Sequence, residues 1–371
     1  MTYGDYPDLE RVKKVLVVKM RHLGDVLLTA PVFSVLKKRL PGAQVDAYVY
    51  EEAFPMLAGH PAIGVLIGYD RKWKKLGFLG RLRKEWALLR KIRKEKYDLV
   101  VNLTEGDRGV IVAMMSGAQV RVGFEPKGKW QKKVYTHVAK HCPGLRHTVE
   151  RNLDVLRRIG LFPEMEEREL FLEIPEEARS AMRERVGGES FFLIHPTSRW
   201  RFKCWPVEKM RELCRILVGR GIKLVFTSGP DGDEIAMVDE IAEGLDVIRL
   251  SGKISLKELG ALIEMSEILI CVDSVPLHMA SALQKPVVAI FGPTSDVTWG
   301  PWRNVRARIV SQNLSCRPCY RDGCGGSKRS DCLDTLSVSQ VLKAIGSLQP
   351  EIFSEIALAG ACMGQEFVHR S

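Results

Sequence analysis

Residues 14–31 read Lys14-Val-Leu-Val-Val-Lys-Met-Arg-His-Leu-Gly-Asp25-Val-Leu-Leu-Thr-Ala-Pro31, and this stretch decides the fold. Val15 to Val18 is a short apolar run, mostly β-branched. It suits a parallel strand covered on both faces better than an amphipathic one. Met20 to Gly24 turns the chain, and Asp25 opens an apolar-periodic segment predicted as a helix through Leu36. Strand, tight glycine turn and helix is how an open α/β sheet presents a ligand site at a strand's carboxyl end. A phosphate-binding turn wants bare N–H groups and a positive dipole at the helix start, not a carboxylate. Asp25 is therefore either a helix cap or a chemical group aimed into a cleft.

The same rhythm continues outward. Gln44–Val49, Val65–Ile67, Leu99–Asn102 and Val120–Gly123 read as further strands. Residues 79–94 read as a helix, with Leu82, Trp86, Leu89 and Ile92 near helical spacing, and His147–Ile159 closes the series as another. Residues 161–189 are acidic and broken by proline, a candidate linker. A second series starts at Phe191 and alternates strand and helix through the strand Val287–Phe291. Two such arrays predict two Rossmann-like α/β domains facing across a cleft, over residues 11–165 and 185–348, with a tail at 349–371. There is no short-period repeat.

A chain of 371 residues has room for both cores. With 46% hydrophobic and 27% charged residues it reads as globular. It contains no apolar run of about 18 residues, and its first residues lack the basic and apolar regions of a secretory signal. The expected compartment is the cytosol. The net charge of +11 calls for an anionic partner, and much of it is local: between Arg71 and Lys96 twelve Lys and Arg face only Glu85 and Glu95. Such a stripe suits nucleic acid, an anionic membrane surface or a phosphorylated substrate. The plainer alternative is a solvated helix face.

Four stretches fall where strand ends face the expected cleft: Arg21–Asp25, His195–Pro206, Thr227–Glu234 and Cys271–Ala282. In the second, Thr197, Ser198 and Lys203 are suited to phosphate oxygens. In the third, Gly229 permits close backbone approach. In the fourth, Asp273 and Ser274 precede a short helix whose free N–H groups can face an anion, with His278 one turn on. Taken alone, Asp273 reads as a cap and His278 as a core residue. The chain has no Walker loop, no Gly-x-Gly-x-x-Gly after a strand, no nucleophile elbow and no His-Glu-x-x-His. Cys316, Cys319, Cys324 and Cys332 are spaced C-x2-C-x4-C-x7-C. They could hold a structural zinc tetrahedrally; free thiols or a redox-labile pair is the alternative.

Together, Arg21–Pro31, Lys203-Cys-Trp-Pro206, Val272–Ala282 and Phe291-Gly-Pro-Thr294 resemble the ADP-heptose:lipopolysaccharide heptosyltransferases of glycosyltransferase family 9. Asp70–Lys75 and His147–Asn152 resemble the heptosyltransferase III branch. The resemblance covers most of residues 12–345. It implies the two-domain GT-B fold and inverting transfer of heptose from ADP-heptose to the lipopolysaccharide inner core, with no cofactor required. It implies Asp25 as the catalytic carboxylate. Thr197, Ser198, Lys203, Gly229, Asp273, Ser274 and His278 become donor-binding candidates, and Arg21, His22, Arg71 and Lys72 acceptor-binding ones. Two positions depart from the family pattern. Val275, followed by Pro276, stands where a Gly is usual, and the Ser198–Lys203 loop is one residue longer than in the heptosyltransferase I branch. The implied setting is cytoplasmic, peripheral to the inner membrane, without nucleic acid. A transferase or epimerase using another nucleotide sugar, and a basic module for anionic surfaces or nucleic acid, are the competing readings.

Overall fold

The computed structural model describes residues 5–350. The expected tail therefore lies outside the described residues from 351 onward. The chain divides into two units. The first runs to Pro175 and includes Val297–Arg303; the second comprises Glu176–Asp296 and the chain from Asn304.

In the first unit, six strands form one parallel sheet: β1 (Lys14–Lys19), β2 (Gln44–Tyr50), β3 (Leu66–Tyr69), β4 (Leu99–Asn102), β5 (Val120–Phe124) and β6 (His137–Ala139). Their order is β3-β2-β1-β4-β5-β6. β1 is central, pairing Val15 with Val45 on one side and Leu99 on the other. Val15 to Val18 are buried to within 1% on both faces, as an apolar run without alternation requires.

In the second unit the strands are β7 (Phe192–His195), β8 (Leu224–Phe226), β9 (Ile248–Arg249), β10 (Ile268–Val272), β11 (Val287–Phe291) and β12 (Ala307–Ser311). Their order, β12-β11-β10-β7-β8-β9, is the first order read from the opposite edge. Both sheets are thus Rossmann-like, and each reverses strand order between its first and fourth strands. Ligands bind an open α/β sheet in the crevice beyond that switch point. In this chain the crevices lie beyond the carboxyl ends of β1 and β4, and of β7 and β10.

Several elements differ from expectation. The segment after Gly24 is two helices, Leu23–Leu27 and Ala30–Arg39, not one. Pro31 sits in the first turn of the second; it has no N–H to give and its ring would clash with the preceding turn of a continuous helix. The expected linker contains the helix Glu176–Val186, which packs on the helix Leu256–Met265. Strands β6 and β12 and the helix Val338–Leu348 were not anticipated. In the helix Phe78–Lys94, Leu89 and Ile92 pack on the core, but Leu82 and Trp86 are 51% and 56% exposed. The inward line of that helix instead includes the Arg81–Glu85 ion pair.

Candidate functional site

Asp25 lies in the first turn of Leu23–Leu27, beyond the end of β1, half-buried. A carboxylate in a first turn complements the helix dipole. The residue occupying the cap position, His22, makes no side-chain cap bond. Facing Asp25 electrostatically is Lys19, the last residue of β1 and only 5% exposed. Its Nζ donates to the Leu103 carbonyl at 3.1 Å and to Asn152 Oδ1 at 3.3 Å. Asn152 is 1% exposed and its Nδ2 donates to the Leu28 carbonyl at 3.0 Å. It thereby ties the helix Thr148–Arg157 to the Asp25 segment.

The end of β4 is fixed from the other side. The Met20 N–H donates to Thr104 Oγ1 at 2.7 Å, and the Thr104 N–H to Asn102 Oδ1 at 2.9 Å. Glu105 then receives Arg21 at 3.1 Å and Arg151 at 3.3 Å. The switch point of the first sheet therefore holds a carboxylate, a buried ammonium and an exposed Arg–Glu–Arg group.

Burial pulls the Lys19 pKa down from 10.5 to about 8; Asp25 opposes the fall. The unfolded chain thus holds more protons between those values, and stability rises with pH across that window. Lys19→Met should abolish this rise in melting temperature between pH 8 and pH 10.5. A rise equal to that of the parent protein would show that Lys19 is not buried as described.

The acceptor candidates separate. Arg21 and exposed His22 stand at the Asp25 turn. Arg71 and Lys72 lie two strands away, in the 3₁₀ turn after β3. Arg71 bonds Glu52 at 2.7 Å and covers the Tyr50 ring at 4.1 Å. Beside it Arg108 donates to the Tyr50 hydroxyl at 3.1 Å and covers the Tyr69 ring at 4.6 Å. Among the described residues Lys72 gives only its backbone N–H, to Asp70. Sequence reading missed Lys19, Asn152 and Arg108. Lys19 carried a signal, a lysine closing an otherwise apolar strand. Arg108 follows a strand end by a few residues, the pattern that marked the other stretches.

In the second unit the switch point is built around Asp273, 5% exposed, after β10. Its Oδ2 accepts Lys203 Nζ at 2.7 Å and Thr294 Oγ1 at 2.6 Å. Asp273 is thus neither exposed nor idle: it fixes the ammonium after β7 and the hydroxyl after β11. Ser274 caps the helix Val275–Ala282 by position, its own Oγ donating back to the Val272 carbonyl at 3.2 Å. His278 is buried on that helix. The structure brings Lys203, Asp273, Ser274 and Thr294 to one strand-end cluster.

The remaining donor candidates surround Glu234. Thr197 is fully buried and its hydroxyl donates to Glu234 Oε2 at 2.8 Å. The Gly229 N–H donates to the same oxygen at 3.2 Å. A Cβ on Gly229 would stand 2.9 Å from the Glu234 carboxylate, so the glycine makes room for that side chain. In this arrangement the Thr197 hydroxyl orders Glu234 instead of being offered to phosphate. Ser198, half-buried, accepts the Trp200 N–H at 3.4 Å. His195 bonds Thr227 at 3.0 Å, and burial pushes its pKa down to about 4, so it is neutral near pH 7.

Cys316, Cys319, Cys324 and Cys332 line one cavity, together with Arg317 and Arg321. Among the described residues no three His, Cys, Asp or Glu side chains are arranged as ligands to an ion.

Comparison with known proteins agrees with this architecture. The model of glycosyltransferase family 9 (heptosyltransferase) matches residues 85–328. A lipopolysaccharide heptosyltransferase 3 of Escherichia coli is 35% identical over 77% of this chain and 85% of its own length. The heptosyltransferase 3 of strain K12 is 33% identical over 90% of this chain and 97% of its own. Among solved structures, a family 9 glycosyl transferase from Veillonella parvula has a TM-score of 0.79 at 25% identity, covering 94% of this chain and 100% of that one. The E. coli ADP-heptose lps heptosyltransferase II, 20% identical, shares the GT-B fold at a TM-score of 0.74, over 92% and 99% of the two chains. The chain is a glycosyltransferase, and it belongs to glycosyltransferase family 9, the heptosyltransferases.

Proposed function

We propose that this chain transfers heptose from ADP-heptose to the lipopolysaccharide inner core, with inversion at the anomeric carbon, in the manner of heptosyltransferase III. The observation that carries the reading is the pair of switch points. One holds a carboxylate in a strand-end turn, and the other holds an ammonium clamped by a buried carboxylate. The 33–35% identity to heptosyltransferase 3 supports it.

The first unit is assigned the acceptor. A sugar hydroxyl is a poor nucleophile until a base takes its proton, and Asp25 is that base. Arg21, His22, Arg71, Lys72 and Arg108 suit an acceptor bearing phosphate and carboxylate groups. The second unit is assigned the donor. As the bond to ADP breaks, negative charge grows on the diphosphate. Lys203, the Thr294 hydroxyl and the first turn of Val275–Ala282 meet that charge. Transfer itself requires no cofactor. The enzyme works in the cytoplasm, peripheral to the inner membrane.

A structural zinc on the four cysteines is part of the same proposal. The thiols line one cavity but are not arranged around a single point as ligands, so zinc would have to draw them together; the Asp331 N–H already donates to Cys324 Sγ at 3.4 Å. An all-thiolate set suits zinc. Its place explains what it would support. Ser330 donates to the Phe202 carbonyl at 3.2 Å, and the Cys319 and Tyr320 amides to Pro293 at 3.1 and 3.0 Å. The segment thus braces the backbone on both sides of the Lys203–Thr294 cluster. Protein purified under reducing conditions should contain one equivalent of zinc, lost in Cys319→Ser; metal-free parent protein would overturn the zinc.

The function is tested with ADP-heptose and defined truncated-core lipopolysaccharide. ADP should appear only when both are present. Turnover without acceptor would favour the epimerase reading, and preference for another donor in a panel would replace ADP-heptose.

A further inference from the structure

The helix Phe78–Lys94 exposes apolar surface that the transfer chemistry does not use. Phe78 and Leu79 are 79% and 77% exposed, and Leu82 and Trp86 continue the ridge at 51% and 56%. Positions 78, 79, 82 and 86 lie along one side of a helix, three to four residues apart. Around them lies the basic stripe. Of its twelve cations, Arg71 and Arg81 are ion-paired, to Glu52 and Glu85. The other ten have no carboxylate partner among the described residues, and the second acid of the stripe, Glu95, is paired with Lys14 instead.

We propose that this helix lies on an anionic bilayer, with Phe78, Leu79, Leu82 and Trp86 entering the headgroup–acyl boundary and the unpaired cations meeting lipid phosphates. This deepens the reading of a membrane-bound glycolipid acceptor and rests on it. A bilayer offers an apolar phase and a plane of negative charge together, which is what this surface matches. A nucleic acid offers the charge and could stack on Phe78 and Trp86, but it offers no apolar phase for Leu79 and Leu82. A second copy of the chain would set cations against cations. The topology places the ridge usefully. The helix leaves the carboxyl end of β3 and returns to the amino end of β4. Its apolar half is therefore at the end of the sheet that carries Asp25, Arg71 and Arg108. A glycolipid seated at those residues can keep its acyl chains in the membrane.

The test is flotation of the full chain with phosphatidylcholine vesicles, with and without phosphatidylglycerol, at physiological salt. The parent protein should float with the anionic vesicles and not with the neutral ones. Leu79→Ser with Trp86→Ser alters exposed positions only. It should weaken flotation by about tenfold or more. Arg83→Ala and Lys84→Ala should each weaken it about fivefold. All variants should transfer normally to a lipid-free core oligosaccharide. Failure of the parent protein to float, or unchanged flotation of the double serine variant, overturns the proposal. Release of the parent protein from vesicles by equimolar oligonucleotide also overturns it. Failure of transfer to the soluble oligosaccharide by the parent protein would instead count against the acceptor reading and leave the vesicle result standing.

Discussion

Asp25→Asn folds, binds ADP and loses transfer by about a thousandfold. The amide is nearly isosteric but cannot accept the acceptor's proton, and a positioned base contributes roughly 10²–10⁴ in rate. The competing role, a first-turn carboxylate that merely steadies the helix, predicts the opposite split. Losing a dipole-complementing charge costs about 0.3–1 kcal/mol of stability and leaves turnover intact. The helix in question is five residues long and buries Gly24, Val26 and Leu27, so packing holds it in place more than charge does. The variant also removes the anion that helps buried Lys19 stay charged. The Lys19 pKa should fall further, because burial then acts with less opposition. The check is ADP release with saturating acceptor, alongside melting temperature and ADP affinity. Near-parental turnover would sink the assignment of Asp25 as base.

The fold was legible because parallel strands covered on both faces announce themselves as unbroken apolar runs. Ile268–Val272 and Val287–Phe291 are 0% exposed along their length, and the second coincides with the strand expected at Val287–Phe291. Edge elements were not legible for the converse reason. β6 is three residues, and β12, at the sheet edge, is interrupted by Arg308 and buries only Val310, so neither produces such a run. The helix Glu176–Val186 was hidden by a composition that reads as solvent-facing. It buries only Ala178, Met182 and Val186. The site was legible one strand end at a time, through polar residues that interrupt apolar runs. What could not be read was which polar groups satisfy one another. Nothing in the spacing of Thr197 and Glu234, or of Lys203, Asp273 and Thr294, states that the first pair is internal while the second set gathers around one carboxylate oxygen. Burial alone does not separate these cases, since Thr197, Thr294 and Asp273 are all buried and each must find a partner within the protein; the bonded partners do. Exposure did decide the basic helix, where leucines at helical spacing faced outward.

Lys203→Ala should carry the second large effect, on two properties that can be separated. Its ammonium is 2.7 Å from Asp273, with the two side chains 18% and 5% exposed. Removing it leaves a buried carboxylate whose remaining partner in the cluster is the Thr294 hydroxyl. Breaking a buried pair from one side costs about 3–5 kcal/mol, because the surviving charge is uncompensated. The variant should therefore melt well below the parent protein. It should also lose about 10²–10³ in turnover, the usual cost of deleting one group that meets charge developing in the transition state. A loss of activity caused only by instability would follow stability. Lys203→Ala combined with Asp273→Asn removes the stranded charge while the amide oxygen can still accept the Thr294 hydroxyl. Stability should return in this double variant and transfer should not. Single Asp273→Asn keeps the ammonium but loses its anchor, so it should weaken ADP binding less than Lys203→Ala does. If the double variant regains turnover along with its melting temperature, Lys203 is a structural partner of Asp273 and some other cation meets the leaving diphosphate.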